Sequence, residues 1–309
     1  MQYRVSLIVG FKFKGKNMNY LSQVTKPKDK PPIITIVGLP GSGKTSLAAL
    51  FPHPIFIQTD DNAETVFSAW DEDLKPAFMP KIPRAHVKRN IRPSEIVLEQ
   101  LTELATENHP YRTLIIDTVT SLNLLIEDEV TLFDTKGAEN IAEASGGFHK
   151  GYKTVAGKHS KIRNAAERLR RRGMSVVFLC HTMTQKIKNS PDMPECTVYG
   201  LDMHIDSRPW YVNHSDAVLY LRQGFNTKGL ETDKHGKVTK SAKIKRLNER
   251  VLITSSDGVY GFVDAKNCFN MPNEITVPHM QNPILQYIPH LASYAKPIIN
   301  DEEGATEDE

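Results

Sequence analysis

Eight consecutive residues, Gly38-Leu39-Pro40-Gly41-Ser42-Gly43-Lys44-Thr45, follow the pattern G-x-x-x-x-G-K-[ST]. Glycines at these places let the backbone wrap so that successive N–H groups point inward, which makes a cradle for phosphate oxygens. The lysine supplies a cation for β- and γ-phosphates, and the hydroxyl after it is a ligand for Mg2+. The chemistry implied is recognition of a nucleoside triphosphate. Gly38, Pro40, Gly41, Ser42, Gly43, Lys44, Thr45 and Ser46 would line the phosphates, with ATP and Mg2+ as the bound species.

Hydrolysis needs acids as well. Asp117 closes the apolar run Leu114-Ile115-Ile116 and is the candidate to hold Mg2+ beside Thr45. Thr118 and Ser121 also offer a helix cap at this point. Thr118 stands where the AAA+ arrangement has a water-activating Glu, so that carboxylate must come from elsewhere. Asp60, Asp61 and Glu64 follow the apolar run 54–59. Asp60 is the first choice to orient and deprotonate the attacking water. Capping of a helix over 63–70 is the other use for Asp60 or Asp61. His181 ends a further apolar run, 174–180, where a polar side chain would sense the γ-phosphate.

These groups must be positioned by strands that end together. Ile33-Ile34-Thr35-Ile36-Val37 is β-branched and apolar, and residues 45–51 open a helix behind the loop. Helical spacing recurs over 93–107, where Pro93 suits a first turn, and over 119–133 and 155–172, the last stopped by Gly173. Strand and helix alternate, so the fold class is α/β, a mostly parallel sheet flanked by helices. From about residue 195 the runs 216–221, 242–246 and 259–263 read as antiparallel extensions of that sheet. Residues 224–236 read as a polar loop and 283–294 as a closing helix.

The composition, 39% hydrophobic and 24% charged, is that of a globular protein, and no apolar run is long enough to span a membrane. The three scattered cysteines make no C-x-x-C pair of the kind a zinc ribbon uses and fit a reducing cytoplasm. Domain organisation reads as a leader over 1–30, with Met1 or Met18 as the start, an ATPase domain over 31–295, and an acidic tail over 296–309 that reads as disordered. The net charge of +3 conceals a basic stretch over 150–188, suited to nucleic acid or another acidic surface, or else a solvated helix face.

Together the loop 38–45, the carboxylate after the second strand, the run 114–122 and His181 resemble the RecA-like recombinase core. The order of parts and the acidic tail are similar to phage-encoded RecA-like ATPases of the single-strand annealing type, over roughly 31–275. Ala265-Lys266-Asn267-Cys268-Phe269-Asn270-Met271-Pro272 is similar to the Lys-Asn-Arg-Phe-Gly motif of bacterial RadA. The resemblance implies that Lys266 approaches ATP bound by a neighbouring copy, with Cys268 standing where the motif has arginine. Asp60 replaces the family's usual Glu, which would shorten its reach or slow turnover.

The resemblance further implies a ring or filament of identical subunits acting in the host cytoplasm. Its partners would be single-stranded DNA and a single-strand binding protein. Mobile DNA-contacting loops would lie in 136–158 and 183–208, offering Lys150, Tyr152, Lys153, Lys186, Lys188 and Arg208, with Phe148 and Trp210 as further stacking aromatics. The competing readings are a P-loop kinase of a small substrate, with arginines 168–172 as a lid, and a nucleotide-gated DNA-binding protein with negligible turnover.

Overall fold

The computed structural model describes residues 21, 24–26, 28–60, 63–188, 195–228, 231–232, 238–240, 243–256 and 264–295. Most of the leader, Asp61, the expected strand over 259–263 and the acidic tail lie outside the described residues.

In chain order the strands are β1 (Ile33–Gly38), β2 (Pro54–Gln58), β3 (Ala77–Phe78), β4 (Thr113–Asp117), β5 (Ser175–Ile187), β6 (Cys196–Leu201), β7 (Ala217–Lys228), β8 (Glu231–Thr232), β9 (Val238–Lys240), β10 (Lys243–Ile253), β11 (Lys266–Asn267) and β12 (Glu274–Val277). The helices are α1 (Lys44–Ala49), α2 (Ala63–Val66), α3 (Pro93–Thr106), α4 (Val119–Leu132), α5 (Lys150–Arg171) and α6 (Pro209–Val212). The main sheet has ten strands, with the path β12-β10-β7-β1-β5-β4-β2-β3. β6 extends β5, and β11 lies against β7. Strands β7, β1, β5, β4, β2 and β3 run parallel; β10, β12, β11 and β6 pair antiparallel. This is the α/β, RecA-like P-loop fold: the strand carrying the loop is separated from the strand ending in Asp117 by one inserted strand, β5.

The central strands are apolar along their length because both faces are covered. Alternation sends Val37, Ile57, Ile116 and Phe178 to one side, against Leu101 of α3, Ile126 of α4 and Ile162 of α5. It sends Ile36, Phe56, Ile115 and Leu179 to the other, against Leu47 and Ala48 of α1 and the C-terminal Ile284 and Leu291. Glu129 of α4, fully buried, stitches one helical layer: it accepts from the Ser94 N–H (2.8 Å) at the start of α3 and pairs with Lys158 of α5 at 2.7 Å. Among the described residues no helix is long and apolar enough to cross a membrane.

Four expectations require correction. α5 starts at Lys150 rather than 155, so Lys150, Tyr152 and Lys153 are helical. Gly151 gave that stretch the look of a loop, but it is a packing glycine, since a Cβ there would collide with the Ile141 carbonyl. The expected loop after His181 is largely a hairpin: β5 runs on to Ile187 and pairs with β6, burying Val198 and Leu201. β7 continues through Lys228, where a polar loop was expected to begin at 224. The closing helix is two 3-10 turns, Leu285–Tyr287 and Ala292–Tyr294. Pro289 explains the break, because it lacks an N–H and holds Ile288 extended (φ −105°, ψ 109°).

Candidate active site

Parallel pairing gathers the strand ends at one edge of the sheet. Gly38 stands opposite His181, Gln58 opposite Asp117, and Asp117 opposite Leu179. The phosphate loop rises from this edge. Gly43 has φ 90°, a backbone setting that side chains resist. Gly38 is required for space, since a Cβ there would collide with the Leu221 carbonyl and lie 2.7 Å from Ser42 Oγ.

Lys44, buried at the start of α1, donates to the carbonyls of Gly38 (2.9 Å) and Leu39 (3.1 Å). Its Nζ lies 3.3 Å from His181 Nδ1. Desolvation pulls the Lys44 pKa down to about 8, against the opposing pull of the Asp117 charge. The His181 ring is held below its usual range, first by burial and then by the Lys44 cation, so it is neutral at pH 7. The His181 backbone N–H donates to Thr120 Oγ1 at 2.9 Å, which ties β5 to the first turn of α4.

Thr45 Oγ1 donates to Asp117 Oδ2 at 2.7 Å. Asp117 is 4% exposed, and its pKa is raised to about 6, chiefly by burial. The Thr45 bond opposes that rise and the neighbouring Asp60 charge adds to it. Asp60 Oδ2 accepts from Ser121 Oγ at 3.2 Å. Thr118 caps α4, its Oγ1 accepting from the Ser121 N–H at 3.1 Å, so capping and acid presentation occur in one turn. Glu64 faces away to Gln58, accepting from its amide at 3.1 Å. The Asp117 carboxylate and the Thr45 hydroxyl, joined at 2.7 Å, offer hard oxygens that suit a divalent cation. Ser42 Oγ, buried in the loop with no hydrogen-bond partner among the described residues, suits an added acceptor.

A proton-linkage test follows. Phosphates beside Lys44 would raise its pKa from about 8, so nucleotide binding should take up about three-quarters of a proton near pH 8.5. Calorimetry in buffers of different ionisation heat reads this directly; zero uptake there would show that Lys44 does not meet the ligand.

Lys266 is not brought to this edge. β11 pairs at Val218, level with Thr35, three residues and roughly 10 Å short of Gly38. Its Nζ donates to the Asn213 carbonyl at 3.0 Å. Cys268 is exposed, and Asn267 organises the following turn through the N–H groups of Phe269 and Met271, both at 3.0 Å.

Much of the basic stretch is engaged internally. Arg163 bonds the His214 carbonyl, Arg170 pairs with Asp216 at 3.0 Å, and Lys158 with Glu129. Lys150, Lys153, Lys186 and Lys188 remain exposed, as does Phe148 at 93%. Tyr152 and Arg208 line one cavity of about 440 Å³ together with Asn123, Glu127, Met183 and His204. Tyr152 stacks on His204, ring centroids 3.8 Å apart. Arg208 is tied to Met203 O (3.0 Å) and Gln185 Oε1. Trp210 is partly buried against the core. Thr120 was not singled out from sequence, yet it lines the cavity and also holds the His181 N–H.

A protein-family model described as an AAA domain matches residues 30–260. Among solved structures, a KaiC-like protein from the hyperthermophilic archaeon Pyrococcus horikoshii OT3 is similar, at 12% identity and a TM-score of 0.37, over 72% of this chain and 79% of that one. No curated protein matches the chain. Thr118 in place of Glu does not set the chain outside the matched family; Asp60 lies two residues beyond the end of the neighbouring strand β2.

Proposed function

Because the chain belongs to the AAA-domain family, we propose that it is an ATPase that binds Mg-ATP at the carboxyl edge of its sheet and uses it to control a hold on single-stranded DNA. The observation that carries this is the convergence of Lys44, Thr45, Asp117, Asp60 and His181 from the ends of β1, β2 and β4 and the middle of β5, with Thr45 and Asp117 joined at 2.7 Å and Lys44 and His181 at 3.3 Å. Lys44 and the loop N–H groups hold the phosphates. Thr45 and Asp117 would hold Mg2+, which when bound neutralises phosphate charge. Asp60, kept on line by Ser121, receives the proton of the water that attacks the γ-phosphorus as the bond to the β-phosphate oxygen breaks.

The DNA reading is supported by continuity. β5 runs unbroken from His181, beside Lys44, into the hairpin arm that carries Lys186 and Lys188. Thr120 touches both the His181 backbone and the cavity that holds Tyr152. Exposed lysines with a stackable aromatic suit sequence-independent binding of single strands. Lys266, placed away from its own nucleotide edge, would serve a neighbouring copy in a ring or filament, and annealing of phage-type recombination intermediates is the activity this assembly would support.

Single-stranded DNA should raise ATP turnover by about tenfold or more, a lowering of the barrier by roughly 1.4 kcal/mol. Phosphate release with and without DNA tests it. ATP-dependent DNA binding without turnover would instead identify a nucleotide-gated binder. Turnover indifferent to DNA but dependent on a small acceptor would identify a kinase.

A further inference from the structure

The pair β7 and β10 overhangs the phosphate loop. Tyr220 of β7 is level with Val37, and Leu221 passes against Gly38, so Gln223 lies beyond the end of β1. Arg250 of β10 stands opposite Gln223, two residues above the Leu252–Leu221 pair. Strand alternation sets its face. Val251 and Ile253 enter the core under α3, α4 and α5, whereas Leu252 packs with Leu47 and Ala48 of α1. Arg250 therefore shares the face of Leu252, the side on which the loop turns into α1. The register between β10 and β7 breaks between Arg246 and Arg250, the kind of irregularity that re-aims side chains beside functional sites.

The side chain reaches the loop. A Cβ on Gly43 would collide with Arg250 Nη1 and lie 3.1 Å from Cδ and 3.2 Å from Cζ, so the guanidinium rests on the residue just ahead of Lys44. The other half-buried or buried arginines, Arg92, Arg163, Arg170, Arg208 and Arg222, each have an oxygen acceptor. Among the described residues Arg250 has no hydrogen-bond acceptor or carboxylate partner. A partly desolvated guanidinium without a counter-ion, laid on a loop shaped to collect anions, needs an anion to complete it.

We propose that Arg250 is a further nucleotide-binding residue, which closes the loop from the β7–β10 side and contacts the phosphates cradled beside Gly43, those shared by ADP and ATP. This inference rests on the nucleotide-binding reading of the site. It divides the labour: Lys44 and His181 answer to the γ-phosphate, whereas Arg250 fastens the diphosphate. It also gives Gly43 a second reason to be glycine, since any side chain there would displace the guanidinium.

Arg250→Met keeps an unbranched stem on Gly43 and removes the charge. It should weaken ADP and ATP alike by about 10- to 100-fold, the scale of a charge-assisted hydrogen bond, with Arg250→Lys between it and the native protein. Binding of both nucleotides is read by calorimetry on the full chain, and in unaltered protein ADP should also shield Arg250 from an arginine-selective dicarbonyl reagent, read by peptide mass. ADP affinity of Arg250→Met within about twofold of native, or no shielding of Arg250 by bound ADP, would overturn the proposal while leaving the ATPase reading intact. Failure of the native protein to bind either nucleotide would instead overturn the ATPase reading on which it rests.

Discussion

Lys44→Ala is expected to weaken ATP binding by about 100-fold and to cut turnover by about a thousandfold. The Lys44 ammonium is buried and is held on the carbonyls of Gly38 and Leu39, against His181 Nδ1. Those contacts pre-aim the cation while it lacks a phosphate, and the low local dielectric that pulls its pKa to about 8 also strengthens its pull on an incoming anion. Alanine removes the cation and leaves the loop carbonyls facing the phosphates, so repulsion replaces attraction. The loss is larger in turnover than in binding, because charge moves onto the bridging oxygen as the γ-phosphoryl group departs. Filter binding and phosphate release, measured on the same preparation, separate the two. Turnover within tenfold of native would mean that the loop is not where hydrolysis occurs.

The loop and Asp117 were legible in the sequence because their chemistry is local: a fixed glycine spacing, a lysine, and an acid closing an apolar run. The strands β1, β2 and β4 and the helices α3 and α4 were legible for a similar reason, their apolar residues recurring at a period that one window contains. The pairing order was not. Nothing in Leu114–Asp117 says that β5 lies between it and β1, yet that order puts His181, rather than Asp117, beside Lys44. The hairpin of β5 and β6 was obscured because Thr182 to Ile187 leaves the two-sided core and alternates only weakly. Gly151 and Pro289 misled in opposite directions. One looked like a hinge and is a contact with Ile141; the other sat inside an apolar spacing and broke the helix it suggested. Arg250 carried no signal at all, since its partner, Gly43, is distant in the chain and meets it only through sheet register.

Asp117→Asn should abolish turnover, by about 100-fold or more, and at the same time stabilise the nucleotide-free protein at pH 7.5. The sign follows from the carboxyl group's position. Folding buries Asp117 and places it near Asp60, which raises its pKa from 3.8 to about 6. The folded state thus binds this proton more tightly than the unfolded state. Stability from this group is complete below pH 4, falls as pH rises through about 6, and remains lost above that. A shift of about two units corresponds to roughly 3 kcal/mol at most, so asparagine, which cannot ionise, should gain about 1–3 kcal/mol at pH 7.5 and nothing at pH 4. Asparagine retains an oxygen for the Thr45 hydroxyl, so the gain is not cancelled by a lost bond. Mg-ATP should reverse the order: the native carboxylate gains a cation partner, the amide does not, and the native protein becomes the more stable of the two. Thermal unfolding at pH 4 and 7.5, with and without Mg-ATP, measures all four states. A nucleotide-free variant less stable than native at pH 7.5 would show that the buried carboxylate is already neutralised within the protein, and Asp117 would then have no need of a cation to hold.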